Sequence, residues 1–589
     1  RLDLPKSQHR WIRAYNSLLM WNTYDISESH TWMGIPFATP PVGDLRWRAP
    51  VEPASWQGTF DALKASDRCK QIGSVGESRP REEHGKPIGS EDCLYLNIFA
   101  PKFANGKVPA GDDRLPVMVY IHGGGNVAGY ANQFKYSGRN LAKNHGVIVV
   151  NFNYRLGLFG WLSHPSLNHD GSLEDKSGNF GILDSVAALE WVQNNIEAFG
   201  GDPTNVTLFG ESAGGINIFA ILASQQGEGL FHKAIIQSGL PISTPMDQAT
   251  NYIEDSGHLN SGREITNQLL IADATAASRQ EAISHQNQMS DAEISLYLRG
   301  KSANEVLMLL GSDGMPSMPM IFRDGTVVPR EDLMEVFSDA ANYNAVPIII
   351  GTNRDEFKPF FAGDSSLVEL QMGFLPKIIN EAYFHAVTSY FNDAWKARGV
   401  DEVSMRLAKS QADPVFAYRF DWDELPTILG VDLSKLIGAV HASEIPFVFE
   451  SFDDRLMNWV LFSDENIPSR TELSRKMSSY WAEFAYNSSP GRGRDGTQTE
   501  WMPWDEKPNQ GKFVILDSER DRGIRMNNEA VTFSVLKRRL LQDTAFPNTA
   551  AKGKIYDCLF RDSKYWDEEE FVSLGGKTCE IPIFQFLRL

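Results

Sequence analysis

The chain's most chemically suggestive segment is Gly210-Glu211-Ser212-Ala213-Gly214, which matches G-x-S-x-G. A serine hydroxyl is a poor nucleophile until a base takes its proton and the backbone presents its oxygen. Flanking glycines allow a turn sharp enough to do the second of these. With 48 glycines in the chain the motif alone is weak. Its setting strengthens it, because the apolar run Val206 to Phe209 predicts a buried strand before the serine and the small residues from Ala213 predict a helix after it. The N–H of the residue after such a serine, here Ala213, is suited to an oxyanion, and the helix N-terminus favours negative charge there. A structural glycine-rich helix start is the alternative reading.

A second glycine run, His122-Gly123-Gly124-Gly125, follows the apolar stretch Val117 to Ile121. Acyl transfer passes through a tetrahedral oxyanion that needs N–H donors already in place, and glycine backbone approaches a substrate closely. The competing readings are a plain turn or a phosphate cradle. No G-x-x-x-x-G-K-[ST] is present, which disfavours a nucleotide loop.

The elements that must position these groups read as alternating strands and helices. Short continuous apolar runs at Val117–Ile121, Val147–Asn151, Val206–Phe209 and Val346–Ile350 predict strands buried on both faces. Ile182, Val186, Leu189, Val192 and Ile196 fall on one helical face. Residues 251–310 and 365–410 look mainly helical, as insertions covering the catalytic edge of a sheet. Residues 70–90 are polar and predict an exposed loop. The fold class expected is α/β, built on a large, mostly parallel central sheet flanked by helices. The length, 589 residues, gives a prior of about four domains.

Composition excludes several partners. Net charge is −19 with no dense basic run, so nucleic acid is not expected. No stretch of about 18 uncharged apolar residues predicts a transmembrane helix. No H-E-x-x-H, EF-hand loop or dinucleotide fingerprint occurs, so no metal and no cofactor are expected. The cysteines Cys69, Cys93, Cys558 and Cys579 include no C-x-x-C pair. Their spacing suits two local loops, read either as two disulfides in a secreted protein or as four buried thiols. Sequons at Asn205 and Asn487 add a little to the secreted reading, and the start at Arg1 rather than Met leaves no leader to be read.

The chain resembles the type-B carboxylesterase/lipase family, the cholinesterase-like α/β-hydrolases. The resemblance runs in order over residues 30–540. It is carried by Gly34-Ile35-Pro36-Phe37-Ala38-Thr39-Pro40-Pro41-Val42-Gly43, Glu91-Asp92-Cys93-Leu94-Tyr95-Leu96-Asn97, the triple glycine, Asn153-Tyr154-Arg155-Leu156-Gly157 and Asn179-Phe180-Gly181-Ile182-Leu183-Asp184. It continues through the serine motif, Gly351-Thr352-Asn353-Arg354-Asp355-Glu356 and His441-Ala442-Ser443-Glu444-Ile445-Pro446-Phe447. It implies the α/β-hydrolase fold and a hydrolase acting on carboxylic esters through an acyl-enzyme, with a small-molecule ester and water as substrates. Ser212 would be the nucleophile, Glu356 the acid and His441 the base, in the chain order of α/β-hydrolases. Asp355 is the rival acid, which sequence physics does not separate from Glu356. Gly124, Gly125 and Ala213 would supply the oxyanion N–H groups. Glu444 and Ser238 resemble a polar pair behind the histidine, a surface role being the alternative for Glu444. Arg46 with Glu91 and Arg155 with Asp184 resemble structural ion pairs, and Cys69 with Cys93 the family's first disulfide. The pairing of Cys558 with Cys579 follows from parity.

Departures from the family pattern narrow the expectation to its carboxylesterase branch, of microbial or fungal type. Cholinesterases carry a Trp between the first two cysteines for cation–π attraction, whereas residues 70–92 hold no aromatic. The same segment serves as an amphipathic lid in lipases. Here it carries Glu77, Arg79, Arg81, Glu82, Glu83, His84 and Lys86, with only Ile72, Val75 and Ile88 apolar. A lipase or sterol-ester hydrolase ranks second, and a catalytically inactive adhesion homologue third. Asn126 replaces a common aromatic after the glycines and Phe357 a common glycine after Glu356, from which a narrower or more polar substrate niche is expected. Because the catalytic residues span 124 to 441, the four-domain prior gives way to one catalytic domain over residues 1–545, with a C-terminal extension over 546–589 packed on it.

Overall fold

The computed structural model describes residues 29–73, 81–103, 107–310, 320–452, 461–505, 507 and 511–579, together with the backbone of 2–3 and 11–13. Val75, Glu77 and Arg79 of the charged segment lie outside these residues. Two compact units result. The first comprises residues 1–236 and 242–346, the second 237–241 and 347–589.

The first unit is organised by strands β1 (Ser29–Pro36), β2 (Tyr95–Pro101), β3 (Leu115–Ile121) and β4 (Ile148–Phe152), helix α1 (Phe180–Asn195), strand β5 (Gly201–Glu211) and helix α2 (Ala213–Ala223). The strands lie in the order β1-β2-β4-β3-β5. β1 and β4 pair antiparallel with β2, and β3 runs parallel between β4 and β5. Val117 to Ile121 are entirely buried, as a strand covered on both faces must be. In register, Ile121 sits opposite Gly210. The two glycine motifs therefore leave the same end of adjacent parallel strands, which is where ligands meet open α/β sheets.

Helix α1 buries the apolar face expected of it, and its N-terminal turns are buried all round: Phe180 through Val186 are all buried, Asp184 and Ser185 included. An ion pair accommodates the charge. Asp184 receives the Arg155 backbone N–H at 2.9 Å and its guanidinium at 2.6 and 2.8 Å, so a charged side chain points into the core. Residues 70–90 depart from the loop expected. Gln71–Ile72 pairs antiparallel with Pro87–Ile88. The Gln71 side chain is buried, accepting from Gly129 N–H at 3.0 Å and donating to the Gly129 and Cys69 carbonyls at 2.9 Å each. An amide surrounded by backbone partners overrides the polar character of its sequence neighbours. The Cys69–Cys93 disulfide closes this segment, and Arg46 grips Glu91 through two bonds of 2.6 Å.

The second unit holds strand β6 (Ile348–Asn353), helix α3 (Glu381–Lys396), strand β7 (Val415–Phe420), helix α4 (Ile467–Asn487), strands β8 (Phe513–Leu516) and β9 (Arg525–Asn527) and helix α5 (Thr549–Phe560). β7 runs parallel to both β6 and β8, and β9 closes the edge antiparallel. Within this unit, residues 368–378 form a hairpin inside a region expected to be helical. Phe546 packs against Tyr383 and Tyr390, and the Cys558–Cys579 disulfide ties α5 to the chain beyond it. Among the described residues no helix is long and apolar enough to cross a membrane.

The Arg155–Asp184 pair yields a prediction. Removing one partner of a buried, hydrogen-bonded pair leaves an uncompensated charge, at a cost of about 3–5 kcal/mol. Arg155→Met should lose that much stability in denaturant unfolding, and a loss under about 1 kcal/mol would contradict the account.

Candidate active site

Each unit carries one assembly of polar groups. In the first, β5 ends at Glu211 and α2 begins at Ala213, so Ser212 alone makes the turn. Its backbone is held at φ 57° and ψ −121°. A non-glycine residue there costs on the order of 1–3 kcal/mol, which the surrounding packing must sustain. The glycines explain how it does so. A Cβ on Gly214 would stand 2.1 Å from the Ile121 carbonyl oxygen, and one on Gly210 2.8 Å from it. Only bare backbone lets α2 start this close to β3.

The glycine loop after β3 is oriented by its own carbonyls. His122 Nδ1 lies 2.8 Å from the Gly123 carbonyl, which can only accept, so the ring donates through Nδ1. In a planar trans peptide the carbonyl and the following N–H point opposite ways. Fixing the Gly123 oxygen therefore turns the Gly124 N–H away from the ring. Likewise the Gly124 carbonyl accepts from Val127 and Ala128 at 3.1 and 3.0 Å, which directs the Gly125 N–H outward. Among the described residues, the N–H groups of Gly124, Gly125 and Ala213 donate to no protein acceptor. Burial pushes the His122 imidazole down to about 4, so it is neutral and stacks on Tyr154 at 4.5 Å. The Tyr154 hydroxyl donates to the His122 carbonyl at 2.8 Å.

In the second unit, Glu356 is fully enclosed three residues past β6. Its Oε1 accepts from Ser238 Oγ at 2.7 Å, Thr352 Oγ1 at 2.6 Å and the Asn353 N–H at 2.8 Å, while Oε2 meets His441 Nδ1 at 2.5 Å. Burial alone would raise this carboxyl. The positive potential of His441 and the four hydrogen bonds outweigh it and hold Glu356 below its ordinary value. Asp355, the rival, points elsewhere: it pairs with Arg354 and Lys358 and accepts the Ala439 N–H at 3.0 Å. The histidine therefore faces Glu356.

Glu444 is completely buried, which excludes a surface role. It accepts from Gln237 Nε2 at 3.0 Å and Asn353 Nδ2 at 2.7 Å. Burial, with the nearby Glu356 charge adding to it, raises its carboxyl. Trp481 Nε1 donates to Gln237 at 3.3 Å, so a line of polar groups runs from α4 to the Asn353 beside Glu356. Phe357 is packed among Phe360, Phe391 and Trp395, and Trp395 meets the His441 ring edge-on at 5.8 Å. Thr352, Asn353, Gln237 and Trp395 were not singled out from sequence. Thr352 and Asn353 sit in the segment that carried Glu356, and only their burial distinguishes them.

A serine at a strained strand–helix turn above parallel strands, with an acid following a later strand and a histidine after the next, defines an α/β-hydrolase. The family model for the carboxylesterase family matches residues 21–397 and 376–534, and the chain belongs to that family. It is 33% identical over 513 residues to para-nitrobenzyl esterase of Bacillus subtilis (strain 168), covering 83% of this chain and 91% of that protein. It is 32% identical to fumonisin B1 esterase of Sphingopyxis macrogoltabida, with 84% of each chain covered, and 32% identical to human cocaine esterase, with 78% and 79% covered. A solved PNB esterase structure superposes with a TM-score of 0.65 at 28% identity, over 89% of this chain and 97% of that one. Carboxylesterase EST55 of Geobacillus stearothermophilus gives 0.61 at 27% identity, over 88% and 96%. The chain is a carboxylic ester hydrolase of this family, with an α/β fold and two disulfides.

The close approach of α2 to β3 is open to a direct test. Gly214→Ala must push the helix start away from Ile121, and a displacement near 1 Å costs about 10²-fold in rate. A kcat within threefold of the parent, measured on protein with unchanged circular dichroism, would refute this reading of the turn.

Proposed function

We propose that Ser212, His441 and Glu356 act as one catalytic triad on small, neutral carboxylic esters. The observation that carries the reading is the His441–Glu356 contact. With Nδ1 committed to a buried carboxylate, Nε2 is the nitrogen left to accept a proton. The reaction then runs as follows. Ser212 Oγ attacks the ester carbonyl while His441 takes its proton. The carbonyl oxygen becomes an oxyanion that receives the N–H groups of Gly124, Gly125 and Ala213. The intermediate collapses, the alcohol leaves with the proton from His441, and Ser212 keeps the acyl group. Water, deprotonated by the same histidine, attacks the acyl-enzyme, and the acid is released as His441 returns the proton to Ser212 Oγ. Ser238, Thr352 and Asn353 hold Glu356 charged, so it steadies the imidazolium without taking its proton. Glu444, itself held by Gln237, holds Asn353.

A fluorophosphonate should label one serine per chain, Ser212, and Ser212→Ala should abolish both labelling and turnover. Turnover without labelling, or label on another serine, would end the proposal. Glu356→Gln should lower kcat by about 10⁴ with the fold intact, as expected when a histidine loses its orienting carboxylate.

The pH profile follows from the Glu356 shift. Lowering pH protonates an imidazole, near 6.5 in model peptides, and kcat/KM falls. Glu356 is held below its ordinary value and stays charged through that range. The acid limb should therefore show a slope of one proton down to about pH 4.5. A slope of two would mean that the carboxylate titrates together with the base.

Relatives are named as para-nitrobenzyl, fumonisin B1 and cocaine esterases, so their named substrates are unlike one another. The charged segment Arg81-Glu82-Glu83-His84 supports a non-lipase substrate. Short p-nitrophenyl esters should be turned over better than long ones, without activation by emulsion; the opposite order favours the lipase reading. Two disulfides support maturation in an oxidising, extracellular setting. Of the two sequons, Asn487 is exposed whereas Asn205 lies within β5 against Lys233.

A further inference from the structure

Asn126 and Asn217 face each other in the first unit through two hydrogen bonds. Asn126 Nδ2 donates to Asn217 Oδ1 at 3.0 Å, and Asn217 Nδ2 donates to Asn126 Oδ1 at 2.9 Å. Both side chains are at least 99% buried. Asn126 is the residue after Gly125, and Asn217 lies on α2 five residues after Ser212. The pair thus joins the glycine loop to the helix whose first N–H belongs to Ala213.

The geometry of Asn126 fits a fastening point. Its φ of 58° lies in the left-handed region that asparagine tolerates better than most residues. Its own carbonyl accepts the Gly157 N–H at 2.7 Å, two residues from the Arg155 that binds Asp184. Backbone on one side and side chain on the other therefore hold it. An apolar contact between loop and helix would be insensitive to small slides. Two antiparallel amide bonds are directional, and they fix both the separation and the plane of the two groups.

We propose that the Asn126–Asn217 pair is a positioning device that holds the N–H groups of Gly124 and Gly125 in register with that of Ala213. Neither asparagine touches the reacting atoms. The inference rests on the oxyanion role assigned above. It adds that the donors come from two segments distant in sequence whose spacing is maintained by this clamp.

Asn217→Leu keeps the size and removes both bonds. Counted per titratable Ser212, kcat should fall about ten- to a hundredfold, less than the loss on deleting a donor outright. KM should stay within about twofold, because ground-state binding does not use the oxyanion donors. Affinity for a trifluoromethyl ketone, which forms an oxyanion on Ser212, should weaken by the same factor as kcat/KM. Adding Asn126→Ala to Asn217→Leu should cost little more, since the clamp is already broken. If Asn217→Leu does not fold, Asn217→Ser supplies the same measurements. A kcat and ketone affinity within twofold of the parent overturns the proposal, as does a loss confined to thermal stability or strictly additive single effects. Failure of the parent itself to be labelled on Ser212 sinks the triad reading, and is thereby distinguished from failure of the clamp.

Discussion

A buried carboxylate must be compensated, and Glu356 is compensated on every side. Removing a charge from water costs several kcal/mol even after relaxation. Three hydrogen bonds on Oε1 and the His441 ring on Oε2 offset that cost. Much of the second unit's polar interior follows from this one requirement. Ser238 stands at a positive φ of 50° with its N–H on the Gly351 carbonyl. Asn353 spans from Glu356 to Glu444 and the Val440 carbonyl, and Gln237 and Trp481 close the far side. A charge kept in a dry interior holds an imidazole far more firmly than one in water.

The first unit solves a different problem with different means. There the groups proposed to act are backbone donors, and they are aimed by fixing the carbonyls on the other edge of each peptide. His122, Val127 and Ala128 supply those constraints. Glycine serves at Gly124 because its φ is 110° and a Cβ would strike the Ala128 carbonyl. Ser212, Asn126, Ser238 and Ala442 hold positive φ near the groups expected to be catalytic, as ten other non-glycine residues do elsewhere among the described ones. Such conformations persist only where packing over-determines them.

Much of this was legible in the residues. The strand runs at 117–121 and 206–209 lie in parallel strands, as continuous apolar stretches require, and the serine motif sits between a strand and a helix. The misreadings share a cause. Gln71 looked like part of a solvated loop, yet it is buried by a partner far away in sequence, Gly129, whereas the Arg155–Asp184 pair implied by the resemblance is present. The hairpin at 368–378 lay hidden in a stretch that reads as helical. Periodicity reports the side of an element a residue occupies and carries no information about long-range polar partners.

By itself the sequence determined the chemistry available: a serine at a tight turn, glycines after a buried strand, and a histidine and an acid in family order. Those are local features, set by backbone sterics and by hydrophobic runs a few residues long. The resemblance favoured Glu356, but only tertiary structure supplies the physical reason why that carboxylate faces the histidine. Asp355 and Glu356 are neighbours in sequence and similar in charge and reach, but successive side chains leave the backbone in different directions. One therefore meets Arg354 and Lys358, and the other His441. Tertiary structure likewise decided that Asn126 and Asn217, separated by 91 positions, share two hydrogen bonds. Direction and distance between remote segments follow from packing.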